Sequence, residues 1–205
     1  MLKRLFSNFF TKKNNVNGSV GYYITAQLND KVGPIDRSLT YEEPLDEFLK
    51  LKYYGVISGG GTGQEKTGEI AFCDLEIELH SKVLNEAMFT DIVQKLEKLQ
   101  APKGSKLIIE SLDKEIPFGK KEGLGLYIPN SNFPQESFDG YDINFAYSEM
   151  LRLMNIKPNA DRSWGGKEET ALYFYGESFE AMNNAIAEFV KSYPLCKNAR
   201  IVQIA

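Results

Sequence analysis

One histidine, two cysteines and a short row of carboxylates are the groups with which this chain of 205 residues could do chemistry. His80 is the single histidine. That count excludes paired-histidine phosphodiesterases, H-E-x-x-H metallopeptidases and multi-histidine zinc sites, all of which need at least two imidazoles. A nucleophilic pair of His80 with Cys73 or Cys196 is arithmetically open. However, Cys73 and His80 fall on opposite parity of one extended run, so they point to opposite faces. Neither cysteine belongs to a C-x-x-C, and both read as reduced, packed thiols rather than a disulfide. The sequence therefore leads us to expect no catalytic residue, no metal ligand and no cofactor.

Asp74, Glu76 and Glu78 alternate along a strand, with Glu65 and Glu69 nearby. Same-face residues of a strand lie about 6–7 Å apart, so these carboxylates repel one another. Three readings fit them: a solvated face, a patch complementary to a basic partner, or a hard-cation or acid–base site. The run Gly59-Gly60-Gly61-Thr62-Gly63 invites comparison with a phosphate loop. A phosphate loop needs a helix after the glycines, whereas a strand follows here, and both G-K-[S/T] and G-x-G-x-x-G are missing. It reads as a hairpin turn whose Gly60, Gly61 and Thr62 form the rim of a binding face. Aromatics gather at 22–23, 53–54, Trp164 and 173–175. Alternation places Tyr173 and Tyr175 on one face and Phe174 on the other. Ordinary sheet packing explains such a set; so does an exposed patch of Trp164, Tyr173 and Tyr175 that anchors a partner.

Two rounds of the same element order would position these groups. Residues 21–28 read as a strand, 29–41 as a loop and 44–54 as a helix opened by Pro44 and carrying Leu45, Phe48 and Leu49. A brief strand at 56–58 enters the glycine run. In the strand at 69–80, Cys73, Leu75, Ile77 and Leu79 form the core face. Asn85 caps a helix with Met88, Phe89, Ile92 and Leu96 on one side, and 107–110 is the next strand. After a Lys/Glu/Gly-rich linker the order returns: strand 124–128, loop 133–140, helix 142–155, hairpin 161–166 with 170–175, a helix capped by Ser178, and strand 199–204. We read this as α+β, two ferredoxin-like (βαββαβ) halves forming a pseudo-dimer. The boundaries are a basic amphipathic tail and hinge over 1–19, a first half over 20–110, a linker over 111–123 and a second half over 124–205.

The formal net charge is −4, and Lys3, Arg4, Lys12 and Lys13 sit in a tail without acids, leaving −8 on the rest. An acidic body is a poor partner for nucleic acid and suits a basic protein. The RNP signature of RNA-binding ferredoxin-like domains is missing as well. No stretch reads as a membrane span or a cleavable signal, so a cytoplasmic location is expected. A membrane surface could be met only through Leu2, Leu5, Phe6, Phe9 and Phe10 of the tail.

The segments G-L-G-L-Y-I-P-N (123–130), E-T-A-L-Y-F-Y-G-E-S-F-E (169–180) and Y-P-L-C-K-N-A-R-I-V-Q-I-A (193–205) resemble the C-terminal part of a bacterial family without an established activity. In that family's first half a glycine-rich turn also precedes an E-I-x-F/Y-C-D-like strand. The resemblance spans most of 44–205. In size and character the family is similar to immunity proteins, which neutralise a secreted toxin. It implies a non-catalytic protein that occludes a basic toxin domain through Asp74–Glu78, the glycine run and the Trp164/Tyr175 hairpin. The alternative expectation is a small-molecule or enzymatic cleft between the halves.

Overall fold

The computed structural model describes residues 21–81, 84–133 and 142–205. The tail expected over 1–19 and most of the loop expected over 133–140 lie outside these. The described chain is α+β, with two antiparallel sheets and several helices.

The first sheet holds β1 (Tyr22–Leu28), β2 (Gly55–Gln64), β3 (Ile70–Leu79), β4 (Ser105–Ile109) and β5 (Lys114–Phe118), in the order β2-β3-β1-β4-β5. Its helices are α1 (Pro34–Arg37), α2 (Glu43–Leu51) and α3 (Glu86–Lys98), with a π-helical turn Ser38–Glu42 joining the first two. The second sheet holds β6 (Glu122–Pro129), β7 (Ser163–Gly165), β8 (Glu169–Gly176) and β9 (Arg200–Gln203), in the order β7-β8-β6-β9. Its helices are α4 (Ile143–Met154) and α5 (Phe179–Ser192).

Each sheet buries one face under its helices because the apolar residues follow the element's own period. On β3, Cys73, Leu75, Ile77 and Leu79 pack with Leu45 and Leu49 of α2 and Phe89, Ile92 and Leu96 of α3. Complete burial of each such side chain contributes about 1.5–3 kcal/mol. The second core joins Leu124, Leu126, Leu172 and Phe174 to Ala146, Met150, Met182 and Ile186. Helix starts are fixed by the side chains expected from the sequence: Asn85 accepts from the Met88 amide and Ser178 from the Ala181 amide. Asn155 closes α4 in the left-handed conformation that Asn tolerates at a helix end (φ 52°).

Three expectations need correction. The glycine run is not a hairpin turn; it lies inside β2, and the turn falls at 65–69, closed by the Glu65 amide on the Glu69 carbonyl. Glycine suits this strand because its neighbours crowd in. A Cβ on Gly63 would stand 2.5 Å from the Phe72 ring, and one on Gly59 2.9 Å from the Glu76 carboxylate. Residues 29–41 are not all loop, since α1 and most of the π-helical turn occupy 34–41. The stretch 111–123, read as a linker, contains β5, which extends the first sheet beyond β4.

Candidate functional site

The two faces of the first sheet differ. Its helix side is the core just described. On the other side the register sets Glu78 beside Tyr23 and Val56, Glu76 beside Thr25 and Gly59, and Asp74 beside Gln27 and Gly61. Asp74, Glu76 and Glu78 are all half-buried. The expected alternation is therefore present, and Gly61, Asp74, Glu76 and Glu78 share one face. Gly60 pairs with the core residue Leu75 and Thr62 with Cys73, so these two belong to the opposite face.

The face is graded in relief. The Glu76 carboxylate leans over Gly59 and the Phe72 ring over Gly63, whereas a Cβ on Gly61 would meet no atom within 4 Å. Gly61 is thus a notch between a carboxylate and an aromatic ring, with Asp74 beside it. Asp74 accepts from Gln27 at 3.1 Å. Burial, then the charge of Glu76, raise its carboxyl above the ordinary range and outweigh that hydrogen bond. Across the sheet Lys106, the register partner of Gln27, is engaged by Glu115 at 2.9 Å. Among the described residues no three His, Cys, Asp or Glu side chains converge as metal ligands would. His80 is exposed, and its amide donates to the Tyr54 carbonyl. Cys73 and Cys196 are free and buried, and burial pushes both thiols up, Cys196 to about 11.

The aromatic face of the second sheet is placed differently from the exposed patch expected. Tyr173 is 2% exposed, and Tyr175 and Trp164 are half-buried. With Tyr127 and Ala171 they form a third cluster, on the side of the sheet away from α4 and α5. This cluster meets the first half. The hydroxyls of Tyr127 and Tyr173 each donate to Glu69 Oε1 at 2.8 Å, and Lys31 Nζ stands 2.9 Å from the same atom. The Tyr175 hydroxyl accepts from the Lys31 amide at 3.0 Å. Beneath it Arg162 donates to both oxygens of Asp30, at 2.6 and 2.8 Å, and Tyr41 donates to Asp30 at 2.7 Å. Alternation correctly separates Tyr173 and Tyr175 from Phe174, but their face joins the halves and Tyr173 is closed to a partner.

A cleft between the halves was the alternative expectation; around Arg162, Tyr173 and Tyr175 the described side chains pack closely. The recess beside Arg162, Tyr173 and Tyr175 measures about 20 Å³, the room of a single water. Asp30, Arg162, Lys31 and Tyr41 carry this seam, and nothing in their spacing along the sequence marks them.

Comparison with protein families and with curated proteins gives no match. Among solved structures the chain is similar to one described as an unknown protein from Galdieria sulphuraria, at 9% identity over 89% of this chain and 96% of that one. The TM-score is 0.26, too low to establish a shared fold.

Proposed function

We propose that this chain is a non-catalytic protein-binding module of the immunity type, which neutralises a basic toxin domain in the bacterial cytoplasm by covering it. The reading takes the two halves as ferredoxin-like units packed as a pseudo-dimer. The order β2-β3-β1-β4 within the five-stranded first sheet, packed by α2 and α3, and the order β7-β8-β6-β9 in the second, packed by α4 and α5, support that. The observation that carries the function is the face of the first sheet on which no helix packs among the described residues. Three carboxylates stand there in one row, next to the open notch at Gly61, on a chain of net charge −4. Such a face steers a basic partner and selects against acidic ones.

The test is affinity capture from the source cell with wild type and with Asp74→Asn/Glu76→Gln/Glu78→Gln as baits, after circular dichroism has matched the two. A basic protein held by wild type, released by salt and lost from the variant supports the reading. A partner set that is the same on both baits sinks it. Co-expression with the product of the neighbouring reading frame adds an independent check: rescue from a toxic neighbour agrees with the proposal, and an operon of metabolic genes counts against it.

A further inference from the structure

Independently of the immunity-type reading, we infer that β9 is a self-association edge, along which a second copy of this chain pairs its own β9 antiparallel. β9 is the outermost strand of the second sheet. The Ile204 amide donates to the Gly123 carbonyl, and Gly125 stands opposite Val202. Backbone groups of a strand turn alternately to its two sides, so residues 202 and 204 face β6 while Ile201 and Gln203 present theirs outward. Among the described residues none of these four outward groups, two amides and two carbonyls, has a hydrogen-bond partner. An open row of this kind accepts another extended strand.

The side chains do not guard this edge. The outer strand β5 carries Pro117, which has no amide to offer, and β7 is three residues long. Short length, proline and free charge are the usual defences of an outer strand. β9 has no proline, and its one charge is committed: Arg200 reaches Glu169 at 2.8 Å and lies 3.8 Å over the Tyr127 ring, on its own sheet. A second copy fits because the edge is its own complement. Antiparallel pairing centred on Val202 sets Ile201 of each copy opposite Gln203 of the other, and all four open groups of each chain then find partners. Val202 faces Val202 and Arg200 faces Ile204, so no like charges stand opposite one another. The two-fold closes on itself: two four-stranded sheets become one, and no open β9 row is left for a third copy.

The experiment is sedimentation of the full chain over a concentration series, with hydrogen exchange of the Ile201 and Gln203 amides read by NMR at both ends of the series. Expected is a reversible monomer–dimer equilibrium in which both amides exchange about tenfold or more slowly in the dimer. Gln203→Pro removes one outward donor and no bond to β6, so it should weaken dimerisation about tenfold at an unchanged melting temperature. Gln203→Ala, which keeps the amide, should dimerise as wild type does. If the proline variant melts early, the exchange measurement on wild type still decides. A chain that is monomeric at every concentration overturns the inference. So does a dimer whose two amides exchange as in the monomer, or protection that is equal at all concentrations, since the edge is then covered within one chain. A folded Gln203→Pro chain that dimerises like wild type overturns it too.

Discussion

Asp30 and Arg162 are 132 residues apart in the chain and meet in a two-point ion pair with at most 5% of either side chain exposed. The rest of the guanidinium is satisfied by the Asn159 side chain and the Ala160 carbonyl, and Asp30 also accepts from Tyr41. Every nitrogen and oxygen atom of the pair has at least one partner. Removing one partner strands a buried charge, so Arg162→Ala should cost about 3–5 kcal/mol. Urea unfolding of the variant measures this, and a loss below about 1 kcal/mol, the scale of a surface pair, would show that the seam does not depend on it.

Glu69 and Asp74 should give stability opposite dependences on pH. Burial opposes the charge of Glu69, yet Lys31 and the hydroxyls of Tyr127 and Tyr173 outweigh it and hold the carboxyl below 4.5. Its contribution is therefore fully present above pH 4.5 and lost as pH falls through the lower folded value. Glu69→Gln should cost about 1.5–3 kcal/mol at pH 7, and the difference from wild type should shrink in acid. Asp74 is raised above 3.8 by burial and by Glu76. The folded chain holds that proton more tightly than the unfolded chain, so stability falls as pH climbs through the raised value. Asp74→Asn, which keeps an acceptor for Gln27, should then match or exceed wild type at pH 7 and lose that advantage below pH 3.8. Denaturation at both pH values decides each case.

Two glycines of one strand should respond in opposite directions. Gly63→Ala drives a methyl into the Phe72 ring, which lies 2.5 Å from the new carbon, and should destabilise by about 1–3 kcal/mol. Gly61→Ala meets open space and restricts the unfolded chain, so it should be neutral or stabilising by up to about 1 kcal/mol. Equal melting temperatures for the two variants would contradict the relief described for this face.

The local parts of this fold were readable in the sequence because local rules decide them. Cys73, Leu75, Ile77 and Leu79 alternate to one face, and Asn85 and Ser178 start helices by bonds three residues long. The row of Asp74, Glu76 and Glu78 follows from the same alternation. The glycine run resisted such reading, because glycine has no side chain to favour a strand and its conformation is set by distant neighbours: Phe72, Glu76 and Arg37. Tyr173 and Tyr175 were placed on the right face of their strand. Whether that face meets water or another part of the chain depends on Asp30 meeting Arg162, and no local pattern encodes that encounter.

Arg37 has one more consequence. It donates to the Gly61 carbonyl at 2.7 Å and the Thr62 hydroxyl at 2.8 Å, while Asp46 accepts from the Ile57 amide at 2.9 Å. β2 is the outermost strand of its sheet, and a border rich in glycine would otherwise invite a foreign strand to zip alongside. With these backbone groups already taken by the chain's own side chains, that border is shielded against self-templated aggregation. A foreign strand would have to displace Arg37 and Asp46 to pair with Gly61 and Ile57.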